Sequence, residues 1–153
     1  MVSIELPAGY GYVLLSSVST FAVSIWLSMR VGAFRKRASV PYPFEYASAS
    51  EIAAASPSAA RAKTLFNCAQ RAHQNFNENH PTALGALLIG GLRFPLLSAG
   101  LGAFWAVNRV AYAVGYTSGK EGGKGRYVGI GWLLAHYVLV GVAGKSAWDL
   151  AML

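Results

Sequence analysis

The sequence predicts an all-α integral membrane protein, a bundle of four membrane-spanning helices. Three observations predict it. Hydrophobic residues make up 54% of the 153-residue chain and charged residues only 12%, about half the charged share of an ordinary soluble domain. Apolar runs of membrane-crossing length recur along the chain. The basic residues between those runs gather on alternate connections, the pattern that insertion imposes on a multi-pass protein. A net charge of +7 could also suit nucleic acid, but the cations are few and stand between apolar runs, which argues against that partner.

The first span is read at residues 8–30. No charge occurs from Leu6 to Met29, a run of 24 residues. At about 1.5 Å per residue such a helix crosses a hydrocarbon core of roughly 30 Å. A cleaved signal peptide would carry positive charge ahead of its apolar run. Here only Glu5 precedes it, while Arg30, Arg35, Lys36 and Arg37 follow, so the run reads as a retained span. The next stretch, "VPYPFEY", is Pro-rich and predicted to be extended. It leads into an Ala/Ser-rich loop, residues 47–62, in which twelve of sixteen residues are Ala or Ser. That composition predicts a flexible or partly helical connector.

The second span is read at 64–92. Its first half carries Arg71, His73 and Glu78, and its second half is uncharged from Asn79 to Leu92. Arg93-Phe94-Pro95 reads as a tight turn. The third span, 95–119, is interrupted only by Arg109, and the fourth, 127–147, is uncharged from Tyr127 to Gly144. Spans two and three make sense in a membrane if their polar sides face a bundle interior or a cavity. All of residues 1–153 then form a single membrane domain.

Orientation follows from the charges outside the spans. Nine Lys and Arg residues fall in the connections after spans one and three, against two, Arg93 and Lys145, on the other side. The basic side is expected to be cytoplasmic, with both termini lumenal or exterior. The single cysteine, Cys68, excludes an internal disulfide, and the three histidines stand at no metal-ligand spacing, so no metal is expected.

Polar residues concentrate at the cytoplasmic ends of the spans. On a helix Arg71, Asn75 and Glu78 lie at i, i+4 and i+7 and share one face. Arg109, Tyr112 and Tyr116, at i, i+3 and i+7, share another. Arg35 ends the first span and Arg126 begins the fourth, so these groups gather at one membrane depth. Arginines suit carboxylates through bidentate charge-assisted hydrogen bonds, Glu78 suits an ammonium, and the tyrosines and Asn75 supply neutral hydrogen bonds. A small peptide with two carboxylates and one amine, such as glutathione, fits this inventory. The alternative is that Arg71 and Glu78 simply pair with each other. His73 stands one step off the Arg71 face, open to a structural bond or to ligand contact. His136 reads as a packed interhelical partner and Cys68 as a buried apolar thiol.

Two strings, "FNCAQRAHQNFNENHP" and "GLGAFWAVNRVAYAVGYTSG", resemble the MAPEG superfamily, the membrane-associated proteins of eicosanoid and glutathione metabolism. Within it the chain is similar to the microsomal glutathione S-transferase 3 branch. The likeness covers nearly the whole chain except the Ala/Ser-rich insert. It implies a four-helix membrane bundle assembled as a homotrimer, with glutathione as cosubstrate at sites between neighbouring subunits. By motif position Arg35, Arg71, Asn75, Glu78, Tyr112 and Tyr116 match glutathione contacts of the related leukotriene-forming synthase, and His73 stands where that synthase has a glutamine contact. Arg126 matches the arginine that activates the thiol, with Lys124 of the glycine-rich loop as its rival. Asn79 departs from the pattern, standing where the synthase has a tyrosine contact.

The resemblance therefore implies a glutathione transferase with glutathione peroxidase activity, acting on lipophilic electrophiles or lipid hydroperoxides that enter from the bilayer; leukotriene C4 synthase-like conjugation belongs to the same chemistry. It implies the endoplasmic reticulum, with the mitochondrial outer membrane as the alternative. The competing function is a non-catalytic lipid-binding accessory protein of the same superfamily. A small transporter would call for internal repeats with broken helices, and the sequence shows none.

Overall fold

The protein is described here from a computed structural model, over residues 5–152. Among the described residues every regular element is helical: α1 (Tyr10–Ala38), α2 (Ala49–Ala53), α3 (Pro57–Gly91), α4 (Pro95–Tyr116), a 3-10 segment (Glu121–Gly129) and α5 (Gly131–Ala151). The first helix outruns its expected span because Arg35, Lys36 and Arg37 complete its last turn, where cations oppose the negative end of the helix dipole. The Ala/Ser-rich connector is partly helical, as its composition suggests. Ser48 caps α2 in a reciprocal capping box with Glu51, and Pro57 starts α3 where a missing N–H costs nothing. Pro81 lies inside α3 and removes one hydrogen bond from its ladder without ending the helix. The turn expected at Arg93-Phe94-Pro95 is present, with Phe94 N–H donating to the Gly90 carbonyl at 2.9 Å.

The fourth span departs from its expected form. Residues 121–129 make a 3-10 segment, which meets α5 at a bend of 49°. Gly122 and Gly123 adopt φ of 60° and 65°, a left-handed backbone that other residues rarely take, so a continuous α-helix cannot form there. Arg126 accordingly sits in the 3-10 segment, not in the first turn of α5.

The chain divides into two compact units. One comprises residues up to Ala22 together with Asn79–Asn108 and Gly131 onward. Its core gathers Tyr10, Val13, Leu87, Ala99, Leu139 and Ala143. Two hydroxyls satisfy carbonyls near the end of α3: Tyr10 donates to Leu88 at 3.0 Å and Ser146 to Ile89 at 2.8 Å, groups that the helix itself leaves without partners. The other unit, Val23–Glu78 with Arg109–Ile130, has a core of Ala38, Val40, Ala47 and Phe66. Arg30 crosses it, donating to Thr117 Oγ1 at 2.7 Å and stacking on Trp26.

Of the described helices, α1 is long and apolar enough to cross a membrane by itself, and the 3-10 segment with α5 passes the same test as a bent pair. α3, at 35 residues, and α4, at 22, exceed the roughly 20 residues a span needs. They fall short in apolarity, because the polar cluster of the sequence is concentrated in them. Large apolar side chains stand exposed along α1, among them Leu15, Val18, Ile25 and Met29. A soluble monomer rarely leaves such a surface open to water.

Candidate functional site

The second unit contains Arg35, Arg71, His73, Asn75, Glu78, Tyr112, Tyr116 and Arg126, the residues expected to form the site. On α3 the helical face expected from the i, i+7 spacing closes on itself: Arg71 Nη1 donates to Glu78 Oε1 at 2.7 Å. The two side chains remain 44% and 53% exposed, so the pair is open to whatever approaches. Asn75, one turn from each, accepts from Arg109 Nη1 at 2.9 Å. That bond joins the two faces that periodicity could describe only separately.

Arg109 is the centre of the cluster. It is 1% exposed, and its guanidinium lies 4.9 Å over the Tyr112 ring and 5.6 Å over Phe76. Tyr112 is buried and meets Tyr116 edge-on at 5.5 Å between ring centroids. A buried guanidinium packed on aromatic rings gains cation–π attraction where water is excluded. Periodicity places Arg109 on the tyrosine face among the gathered polar groups, whereas the resemblance assigns it no contact; its spacing from Tyr112 is the signal that ties it to the site.

Arg126 joins the cluster from the 3-10 segment. Its guanidinium lies 5.5 Å over the Tyr116 ring and 4.6 Å over Tyr127. Nη1 donates to the carbonyls of Gly122 and Gly123, at 3.1 Å each, and Nη2 to the Tyr127 hydroxyl at 3.0 Å. Lys124, its rival, is exposed. The position of Arg126 is set by a close approach of two backbones. Gly115 of α4 and Gly125 of the 3-10 segment are both buried, and a Cβ on Gly115 would fall 2.9 Å from the carbonyl carbon of Gly125 and nearer still to its oxygen. Only glycine fits on either side.

Two expected members stand apart. Arg35 donates to the Phe44 carbonyl at 2.6 Å and stacks on Tyr42 and Phe66. His73 faces Asn77, with 3.3 Å between Nε2 and the amide nitrogen, one helical turn along a different face of α3. Two residues that sequence reasoning passed over lie beside Arg71 instead. Gln74, at i+3 from Arg71, accepts from the Tyr46 hydroxyl. Its spacing was a usable signal, whereas nothing in the Pro-rich segment marked Tyr46.

A cleft of about 650 Å³ opens beside Tyr116, lined by Arg61, Leu65, Cys68, Lys120 and Gly123. Cys68, expected to be a buried apolar thiol, is half-buried and lines this cleft. His136 is buried, with its ring edge-on to Trp132 of the same helix at 6.0 Å.

The arrangement offers guanidinium groups for anions, one exposed carboxylate for a cation, and phenol and amide groups for orientation. Among known proteins, the model of the MAPEG family matches residues 13–148, a range that takes in all of these side chains.

Proposed function

The chain belongs to the MAPEG family, a family of membrane proteins, and on that footing we propose that it is a membrane-bound glutathione transferase and peroxidase for lipophilic substrates, of the microsomal glutathione S-transferase 3 kind. The observation that carries this reading is the Arg71–Glu78 pair. Opposite charges 2.7 Å apart remain about half exposed on a helix of a strongly apolar protein, where a zwitterionic peptide could exchange them for its own ammonium and carboxylate. Arg71, Asn75, Glu78, Tyr112 and Tyr116 would hold the peptide, with Arg109 fixing Asn75 and Tyr112 from behind. Arg35 and His73 point elsewhere within this chain and would serve a site shared with a neighbouring copy in a homotrimer.

Arg126 would activate the thiol. A free thiol titrates near pH 8.5 and is mostly protonated at neutral pH. A guanidinium beside the sulfur favours the thiolate. In conjugation the thiolate sulfur attacks an electrophilic carbon, forming a C–S bond while the leaving group departs or the epoxide opens. In peroxide reduction it attacks an oxygen of the O–O bond and the alcohol leaves with a proton. The sulfenic acid of glutathione then condenses with a second glutathione to give the disulfide and water. The lipid would arrive from the bilayer of an internal membrane, the endoplasmic reticulum, and the cytoplasm would supply the peptide.

Arg71→Ala is expected to weaken glutathione binding by about 1.5–3 kcal/mol, the scale of a hydrogen bond to a charged group. Titration calorimetry in detergent measures it. The same pair, already closed on itself, favours a second reading, an accessory protein that binds lipid without catalysis. Unchanged affinity in Arg71→Ala would make the pair structural, and absence of glutathione-dependent turnover in wild type would select the second reading.

Arg126→Ala should raise the pKa of the bound thiol, while Lys124→Ala should leave it near wild type. One pKa unit is about 1.36 kcal/mol, and for a bound thiol that titrates above pH 7 it removes most of the thiolate present at neutral pH. Thiolate absorbance against pH gives the titration directly. Turnover should fall much more than affinity, because Arg126 acts on the sulfur; a titration unmoved by Arg126→Ala would remove it from this role.

A further inference from the structure

The segment between α1 and α2 is held from several sides. Asn67 of α3 pairs with Ala47 in both directions, its Oδ1 accepting from the Ala47 N–H at 2.9 Å and its Nδ2 donating to the Ala47 carbonyl at 2.8 Å. Arg35 holds the Phe44 carbonyl. Between these anchors the Tyr46 hydroxyl donates to Gln74 Oε1, and Gln74 Nε2 donates to Glu45. Connecting segments are ordinarily the loosest part of a domain; this one is tied to the face of α3 that carries Arg71 and Glu78.

Tyr46 lies within Coulombic reach of Arg71, Glu78 and Tyr116. Burial pushes its phenol above the ordinary tyrosine range, and Glu45 adds to the effect. The amide of Gln74 has one sensible orientation: a flip would set its oxygen against the Glu45 carboxylate and its NH₂ against a phenol that is donating. Its oxygen is therefore aimed at Tyr46, on the Arg71–Glu78 face, with a second lone pair to offer.

We propose that residues 41–48 form one wall of the ligand site, and that Tyr46 and Gln74 are specificity-determining residues that receive the ammonium group of the peptide thiol. The inference rests on the glutathione reading above and deepens it. On this wall the carboxylates of Glu45 and Glu78 lie with the guanidinium of Arg71, Arg35 being taken up by the Phe44 carbonyl and the Tyr42 and Phe66 rings, and Tyr46 and Gln74 present oxygen. The tyrosine side carries Arg109 and Arg126. An ammonium has three donors and no acceptor, so it belongs on the first wall, away from the two guanidinium groups of the tyrosine side.

The test is calorimetric titration of the full-length protein in detergent with glutathione and with N-acetylglutathione, which lacks the ammonium. Wild type should bind glutathione about tenfold more tightly than the acetylated peptide, the scale of one hydrogen bond to a charged group. Tyr46→Phe, which deletes a single oxygen, and Gln74→Leu should each weaken glutathione binding about tenfold and leave the acetylated peptide unaffected, so that the preference disappears. A preference absent in wild type, retained in both variants, or accompanied by equal weakening of both peptides overturns the inference, the last outcome marking a purely structural wall. If wild type binds neither peptide, the glutathione reading itself fails.

Discussion

Replacing Arg109 with alanine is expected to lower the free energy of unfolding by about 3 kcal/mol, within the range for cavity formation combined with an orphaned polar partner. The side chain is 1% exposed, so its removal leaves a void among Phe76, Tyr112 and Asn75. It also removes the donor that Asn75 Oδ1 accepts at 2.9 Å, and the platform on which the Tyr112 ring rests. Denaturant unfolding in detergent measures the loss. Asn75→Ala supplies the check on mechanism. If the two residues act through their hydrogen bond, the double variant should cost less than the sum of the singles by at least about 0.5 kcal/mol. Strict additivity would mean that Arg109 stabilises the unit through ring packing alone.

Gly115→Ala should displace the 3-10 segment and with it Arg126. The added Cβ would meet the Gly125 carbonyl carbon at 2.9 Å and Val128 Cβ at 3.4 Å. Backbone cannot swing aside as a flexible side chain can, so the segment must move as a whole. Overpacking of this kind costs about 1–3 kcal/mol, in spite of the gain of up to about 1 kcal/mol that alanine brings to a helix interior. The diagnostic result is functional: the titration of the bound thiol in Gly115→Ala should shift upward as in Arg126→Ala, although the guanidinium is still present. Gly100→Ala is the control. Its Cβ would meet nothing within 4 Å, so it should leave the titration unmoved and stability equal or higher. A thiol titration unchanged in Gly115→Ala would show that the contact of the two glycines does not position Arg126.

Much of the candidate site was legible wherever a single helix carried it. The spacing of Arg71 and Glu78 placed them on one face, and they meet at 2.7 Å. The spacing of Tyr112 and Tyr116 likewise brings their rings edge to edge. The same reasoning shows what periodicity leaves out. His73 enters the expected site by resemblance alone, since within this chain its helical phase turns it toward Asn77, whereas Gln74 shares the side of α3 that Tyr46 reaches. Arg126 was assigned to the start of a helix that begins only at Gly131, because a run of glycines supplies no periodicity from which to read a 3-10 segment.

The sequence by itself determined the helices, their apolar character, the faces along each of them and, through two specific strings, the family. These are local properties, since side chains three, four and seven residues apart are neighbours on any α-helix. Only the tertiary structure decided which faces meet. Arg109 finds Asn75 across 34 residues of chain and Tyr46 finds Gln74 across 28, pairings that no period encodes. It also decided where Arg126 rests, because that depends on how closely two backbones approach at Gly115 and Gly125. Close packing of this kind follows from the shapes of elements already folded, and shape in three dimensions is what a linear pattern of residue types leaves open.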